Sequence, residues 1–154
     1  MLLLLFTIDH DQYGIDATQV VEVWPLLPLK PIHRTPDYIA GLVRSRGQVI
    51  PVLDISKLYL NKKSANKIST RIILIRVNGL NGEKHTLGII AEHVTDTIKL
   101  ESINASSVEI KSKDGHLIGQ EILIDDQLIH VVNVDELLQK DMYDQIFGRN
   151  IDDC

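Results

Sequence analysis

Short apolar segments alternate with turn-forming residues along most of this chain, and this pattern constrains its fold more than any other feature. LLLLFTI at residues 2–8, QVIPVLDI at 48–55 and TRIILIRV at 70–77 are examples. The segments between them contain Asn-Gly, Asp-Gly and proline, which favour turns. Many short strands followed by a single helical pattern at the end indicate a mainly β fold, either a barrel or a sandwich.

The apolar start, MLLLLF, raises the question of a signal peptide. No basic residue precedes the apolar run, the run is short, and no small-residue cleavage site follows it. No segment of the chain approaches the roughly 18 apolar residues of a membrane span. We therefore expect a cytoplasmic protein without direct membrane insertion. The single cysteine, Cys154, excludes an intramolecular disulfide and fits a reducing compartment.

Charge and motifs argue against nucleic-acid binding and against catalysis. The chain has 16 Lys and Arg against 21 Asp and Glu, a formal net charge of -5, which disfavours a phosphate-backbone binder. Phosphate loops, nucleophile elbows and zinc-binding motifs are missing from the sequence, and the six histidines are widely spaced. We expect no enzyme activity, no metal and no cofactor, and we predict binding as the function.

Several local predictions follow in the first half of the chain. DHDQYG at residues 9–14 imitates the start of a calcium loop, but its strand-like flanks and the valine at the twelfth position favour a hairpin. ATQVVEVW at 17–24 is compatible with one helical turn or with a short strand. DYIAGLV at 37–43 is predicted as one or two helical turns that end near Gly41.

Two further features of the first half concern strand position and domain organisation. Pro51 cannot donate a backbone hydrogen bond, so we expect it at an edge strand or a bulge. SKLYL at 56–60 suggests one more helical turn. The polar segment NKKSANKIS at 61–69 is interpreted as a solvated linker.

The second half is predicted to consist of further strands and a terminal helix. Residues 101–120 are interpreted as polar and turn-rich, and EILI and LIHVVNV as a final hairpin. Asn133 with Glu136 forms a capping-box pattern. The helix that follows would bury Val134, Leu137, Leu138, Met142 and Ile146 and stop at Gly148. We therefore assign residues 1–140 to one domain of two lobes and residues 141–154 to a helical extension or tail.

The order of several elements resembles the CheW family of chemotaxis adapters. The elements are Tyr13-Gly14-Ile15, the pair Val20 and Glu22, Thr35-Pro36, Gly41 with Arg46-Gly47, and Pro51-Val52-Leu53-Asp54. TLGIIAEHVTDTIKL and LIHVVNVDELL fit the second half of the family pattern. The resemblance covers residues 2–139, and its specificity comes from the order and spacing of the elements.

The resemblance implies a fold of two SH3-like five-stranded β-barrels with a short C-terminal helix. It also implies a non-catalytic adapter with two partners. One is the regulatory domain of a CheA-type histidine kinase, and the other is the hairpin tip of a methyl-accepting chemoreceptor. The receptor tip would bind in a groove between the barrels.

The same resemblance implies the candidate interface residues. Arg46 and Glu22 match the charged pair of the family, Val20 and Val43 would flank it, and Gly47 would allow a tight turn after the arginine. The pair would orient a partner or would only brace the barrel junction, and the two roles are compatible. Trp24 departs from the family pattern and would be an interface anchor if exposed or a core residue if buried.

Two alternatives remain open from the sequence. Arg44 and Ser45 replace residues that are common in the family, and Trp24 departs from it as well, which favours an adapter of a pilus, surface-sensing or developmental pathway. The other alternative is a small-molecule-binding β-barrel, which would need a concave apolar pocket with convergent polar groups.

Overall fold

In a computed structural model, the described residues are 1–79, 82–94, 96–99, 106–111, 113, 117–124, 126–137 and 147. The strands are β1 (Leu2–Ile8), β2 (Asp11–Asp16), β3 (Val20–Pro25), β4 (Ile39–Ser45), β5 (Gln48–Asp54), β6 (Arg71–Asn78), β7 (Lys84–Ala91), β8 (Thr97–Lys99), β9 (Ser106–Lys111), β10 (Leu117–Ile124) and β11 (Gln127–Val132). One α-helix, α1 (Ile55–Leu60), and two 3₁₀ turns (Ala17–Gln19 and Val134–Glu136) complete the described elements. The predicted mainly β fold is confirmed.

The strands form two sheets that interleave along the sequence. The first sheet has the order β8-β1-β2-β11-β10-β9, and the second has the order β3-β6-β7-β5-β4. The second sheet has the expected five strands, whereas the first has six. The N-terminal hairpin enters the first sheet by pairing β2 in parallel with β11. The two ends of the described chain therefore share one sheet, and the lobes are not consecutive in sequence.

Alternation of apolar side chains divides the core into three clusters. Along β6, Ile72 and Leu74 belong to a second-sheet cluster, whereas Ile73 and Ile75 belong to a central cluster. Successive residues of a strand point to opposite faces, so an uninterrupted apolar strand has a core on each side. The central cluster contains residues of both sheets, and a first-sheet cluster lies on the remaining face. The apolar runs of the sequence reflect this double burial.

The segment that follows β3 pairs with the free edge of β4, the last strand in the order of the second sheet. Lys30 pairs with Leu42 of β4, donating to its carbonyl at 2.9 Å and accepting from its N–H at 2.8 Å. The stretch after β3 is thus paired to the free edge of β4. This contact links the two edge strands of the sheet in the way that a barrel requires.

The predicted helix at residues 37–43 is wrong, because residues 39–45 form strand β4. Gly41 has a φ of 150°, and a Cβ at this position would lie 2.6 Å from the carbonyl oxygen of Lys30. The glycine therefore permits the close approach of the 26–30 segment instead of ending a helix. The prediction failed because Thr35-Pro36-Asp37, which form a turn before β4, have the composition of a helix start.

Pro51 lies neither in an edge strand nor at a bulge, contrary to the prediction, because the register shift between β4 and β5 lies opposite Val52 and Leu53. Pro51 is in β5, which has β4 on one side and β7 on the other. The pairing with β7 begins at the next residue, where Val52 lies opposite Gly88. Pro51 itself is paired with Leu42 of β4. The ring is tolerated because the ladder with β7 starts after it.

Other local predictions have mixed outcomes. The hairpin at residues 9–14 is confirmed, since Ile8 pairs with Asp11. Segment 17–24 contains both alternatives, a 3₁₀ turn and then β3. The interpretation of residues 101–120 as polar turns is wrong in part, because they include β9 and the start of β10. The hairpin of β10 and β11 is confirmed.

The ends of the two predicted helical segments differ in outcome. SKLYL lies in α1, as expected, and the side chain of Asp54 caps that helix. Asn133 caps its turn by accepting from the N–H of Asp135 at 3.2 Å. Val134 and Leu137 are buried, whereas Leu138, Met142, Ile146, Gly148 and Cys154 lie outside the described residues. In the described part of the chain, no helix has the length and apolar character of a bilayer crossing.

Candidate functional site

The candidate site lies where the β4–β5 hairpin meets β3. Ser45 pairs with Gln48, so Arg46 and Gly47 are the two central residues of a tight turn. Their φ angles are 50° and 76°, which is the left-handed pattern of a two-residue hairpin turn. Glycine adopts this conformation without steric cost, and arginine does not. The predicted tight turn is therefore present, and the arginine is part of it.

Arg46, in the β4–β5 turn, and Glu22, in β3, form an ion pair. The Nη2 atom of Arg46 lies 2.7 Å from Oε1 of Glu22. The arginine side chain is 81% exposed and the glutamate side chain is 32% exposed. Such an exposed pair contributes about 0–1 kcal/mol to stability. Both residues belong to the second sheet, so the pair joins the edge strand β3 to the β4–β5 turn.

Trp24, one of the predicted interface residues, is a third member of this group, and its contact with Glu22 was not predicted. Its indole Nε1 donates to Oε2 of Glu22 at 2.6 Å. The ring is half-buried and packs against the second-sheet cluster. Glu22 and Trp24 are two residues apart on a strand, so they lie on one face. That spacing in a strand is the signal that could have revealed the contact.

The two predicted flanking valines occupy different surroundings. Val43 is half-buried and packs against the second-sheet cluster together with Trp24. Val20 packs against the central cluster instead. A register shift in the pairing of β3 with β6 lies between Val20 and Glu22. The structure thus brings Glu22, Trp24, Val43, Arg46 and Gly47 together where β3 approaches the β4–β5 turn. Val20 lies on the other side of the bulge in β3.

Exposed apolar side chains accompany the charged pair on β3. Val21 is 42% exposed and Val23 is 38% exposed, on either side of Glu22 in sequence. On β5, two residues after the turn, Val49 is 62% exposed. Among the described strands β3 pairs with β6 alone, so one edge of β3 carries no neighbouring strand in the described part of the chain. Val23 lies on the face of β3 opposite to Glu22 and Trp24, because successive residues of a strand point to opposite faces.

A groove lies at the other end of the β4–β5 hairpin. Its volume is about 640 Å³, within the range of small-molecule sites. The apolar part of the lining includes Leu26, Leu29, Ile39, Ala40 and Ile90. Lys57, Lys63 and Asp37 contribute charged groups to the lining.

The histidine predictions can be examined at His130. Its Nδ1 lies 2.7 Å from Oε1 of Glu121, and the ring packs against Tyr13. His130 is thus hydrogen-bonded through Nδ1, whereas its buried Nε2 has no hydrogen-bond partner among the described residues. In the described residues, no group of three or more His, Cys, Asp and Glu side chains could hold a metal ion.

Comparison with known proteins places this geometry in a family. A CheW-like domain model matches residues 2–142. The chemotaxis protein CheW of Bacillus subtilis is 29% identical over 145 residues, which cover 90% of this chain and 87% of that protein. The chemotaxis protein CheW of Klebsiella aerogenes is 29% identical over 97 residues, or 63% of this chain. The match spans only 55% of the Klebsiella protein.

A solved structure has the same fold. The scaffolding protein TtCheW from Thermoanaerobacter tengcongensis superposes with a TM-score of 0.74 and 22% sequence identity. The superposition covers 97% of this chain and 91% of that protein. At this identity the likeness establishes the fold alone. Together with the family match over residues 2–142, it shows that the chain belongs to the CheW-like domain family.

Proposed function

We propose that this protein is a non-catalytic signalling adapter that couples methyl-accepting chemoreceptors to a CheA-type histidine kinase. Its binding partners are the hairpin tip of the receptor and the regulatory domain of the kinase. The protein works in the cytoplasm and contributes surfaces, not chemistry. Relatives named chemotaxis protein CheW and a structural neighbour named a scaffolding protein support this proposal.

The observation that carries the proposal is the exposed ion pair of Arg46 and Glu22. An arginine at a φ of 50° costs about 1–2 kcal/mol relative to an ordinary conformation. The exposed ion pair returns only about 0–1 kcal/mol. Folding therefore gains nothing net from this arginine, so we assign its role to recognition. A charged pair of this kind sets orientation and specificity more than affinity.

The interface that we propose comprises Glu22, Arg46 and Gly47 with their apolar neighbours Trp24 and Val43, and Val20 on the other side of the bulge. Val21 and Val23 add exposed apolar area on the same strand. An interface of this size also needs surface beyond these residues, because specific complexes bury about 800 Å² on each partner. The candidate residues thus form the orienting part of a larger contact.

The test is a pull-down with the receptor hairpin tip and the kinase regulatory domain from the same organism. The wild-type protein is compared with Glu22→Ala and Arg46→Glu, and Arg44→Glu provides a control with the same charge change two residues away. Arg44 forms no ion pair among the described residues. We expect Arg46→Glu to lose the receptor tip, Glu22→Ala to bind it measurably but more weakly, and both variants to keep the kinase domain and to remain folded. Failure of the folded wild-type protein to bind either partner would reject the adapter function.

The groove at the far end of the β4–β5 hairpin supports a second candidate function, small-molecule binding. Its volume and its mixture of apolar and charged lining residues favour this alternative. A thermal-shift screen against small amphipathic acids and amines distinguishes the two. A stabilising compound whose effect disappears in Ala40→Trp, which fills the groove, would favour the second candidate. An unchanged melting temperature throughout the screen would favour the adapter alone.

A further inference from the structure

We infer that Trp24 positions Glu22, and through it Arg46, so that Arg46 receives a carboxylate of the partner protein. The inference rests on the proposed adapter function and specifies the chemistry at its interface. Trp24 is a positioning residue in this scheme, and Arg46 is the residue that touches the partner.

Both carboxylate oxygens of Glu22 already accept hydrogen bonds within the protein. Oε1 accepts from Nη2 of Arg46 at 2.7 Å, and Oε2 accepts from the indole Nε1 of Trp24 at 2.6 Å. Charge-assisted hydrogen bonds of this length are the stronger ones in proteins. Glu22 therefore serves as an internal acceptor, and its charge is balanced within the group.

The core sets the orientation of Glu22. The Trp24 ring packs against the second-sheet cluster, which includes Ile50, Val52 and Ile72. A half-buried ring among packed side chains has few alternative rotamers. Its N–H thus points in a fixed direction and holds one carboxylate oxygen. The other oxygen is then directed at the β4–β5 turn, where Arg46 lies.

Arg46 keeps most of its donors for a partner. A guanidinium has five N–H groups in a planar fork, and one nitrogen of Arg46 is used by Glu22. The side chain is 81% exposed. A fork with one edge anchored presents its remaining donors in a defined plane, which matches the two oxygens of a carboxylate.

The first arm of the experiment measures binding of the receptor hairpin tip and of the kinase regulatory domain by titration calorimetry. Trp24→Phe removes the indole N–H and keeps an aromatic ring. We expect it to weaken the complex with the receptor tip about tenfold, the effect of losing a charge-assisted hydrogen bond, and to leave the complex with the kinase domain unchanged. In a Glu22→Ala background the same substitution should have little further effect. Arg44→Lys is the control and should bind like the wild-type protein.

The second arm tests the carboxylate and needs no change at Trp24. Each exposed Asp or Glu of the two partner fragments is changed to Lys, one at a time, and each variant is titrated against Arg46→Glu. We expect one reversal to restore binding to Arg46→Glu while weakening binding to the wild-type protein. Because Trp24 is the single tryptophan of the chain, its fluorescence emission should also shift in Glu22→Ala.

The outcomes separate the inference from the function on which it rests. A wild-type protein that binds neither fragment overturns the adapter proposal and this inference together. Binding by the wild-type protein, with no reversal that restores Arg46→Glu, overturns the carboxylate alone. A Trp24→Phe effect that persists in full in the Glu22→Ala background overturns the positioning role, since the ring would then act independently of Glu22.

Discussion

The carboxylate of Asp54 attaches Ser64 to the end of β5 by two hydrogen bonds. Oδ2 accepts from the Ser64 N–H at 2.9 Å, and Oδ1 accepts from the Ser64 hydroxyl at 2.5 Å. The same Oδ1 caps α1 by accepting from the N–H of Ser56 at 3.1 Å. Asp54 is 4% exposed and Ser64 is 9% exposed. The polar segment interpreted as a linker is thus attached to the helix start that precedes it.

Replacement of Asp54 by Ala should therefore destabilise the protein strongly. The substitution removes the helix cap, which contributes about 1 kcal/mol, and leaves buried donors of Ser64 without an acceptor. We expect the free energy of unfolding to fall by about 3 kcal/mol in urea titrations. Asp37→Ala, at an exposed position nearby, is the control and should change it by less than about 0.5 kcal/mol. Equal effects of the two substitutions would contradict this account.

Gly88 is required by packing between the strands of the second sheet. A Cβ at this position would lie 2.9 Å from Cγ2 of Val52 and 3.2 Å from Cγ2 of Ile72. Overpacking of a buried site costs about 1–3 kcal/mol. We expect Gly88→Ala to lower the free energy of unfolding by that amount in urea titrations.

Gly14→Ala is the matched control for Gly88. A Cβ there would approach Cδ1 of Leu3 at 3.3 Å, the flexible end of a longer side chain. The restricted unfolded state of alanine offsets about 0.4–1 kcal/mol of any strain. The cost of Gly14→Ala should therefore be smaller than that of Gly88→Ala, and the reverse order would refute the packing argument.

Much of the fold was predictable because strands with a core on both faces leave long apolar runs in the sequence. β1, β5 and β6 are such strands, and the cap of α1 follows from the order of Asp54 and the helical residues. Strand β4 was not predictable, since the need for glycine at residue 41 comes from the carbonyl of Lys30, eleven residues earlier in the chain. β9 has too few apolar residues to stand out from its polar surroundings.

Part of the candidate site was likewise predictable from the sequence, and part was not. The pairing of Glu22 with Arg46 was expected from the family resemblance, and the structure places their atoms within 2.7 Å. The bond from Trp24 was missed because the sequence left open whether residues 17–24 form a helical turn or a strand. Only in a strand do residues 22 and 24 share a face. The separation of Val20 follows from a bulge, for which the sequence carries no signal.

Tyr59 should make stability depend on pH in the alkaline range. Burial, with a smaller contribution from Tyr13, raises the pKa of Tyr59 to about 12. Its ring lies edge-on to that of Tyr13, with centroids 5.8 Å apart. In the unfolded chain the pKa is about 10, so the folded state holds the proton more tightly. The stabilisation is complete below pH 10 and is lost as the pH rises toward 12.

The measurement is urea unfolding of the wild-type protein and of Tyr59→Phe at several pH values between 9 and 12. Each pH unit in the window above pH 10 costs the wild type up to about 1.4 kcal/mol from this group. The phenylalanine variant should lose stability less steeply over the same window. Tyr38→Phe is the control and should change the slope less. Identical slopes for the wild type and Tyr59→Phe would show that the buried hydroxyl is not responsible.

Arg46→Asn should show whether the ion pair of Arg46 with Glu22 serves partner recognition or stabilises the second sheet. Asparagine tolerates a positive φ better than arginine does, so the turn at a φ of 50° should lose its strain. The substitution also removes the ion pair with Glu22, which contributes about 0–1 kcal/mol. Because the strain costs about 1–2 kcal/mol, we expect the free energy of unfolding to be unchanged or to rise by up to about 2 kcal/mol, while binding of the partner falls at least about tenfold.

Arg34 provides the matched control for this substitution. It is an exposed arginine with a φ of 63°, and among the described residues it forms no ion pair. Arg34→Asn should relieve a similar strain while the ion pair of Arg46 with Glu22 is kept, and it should leave partner binding unchanged. If Arg46→Asn lowered the free energy of unfolding by more than about 1 kcal/mol relative to Arg34→Asn, the ion pair would be a brace of the second sheet.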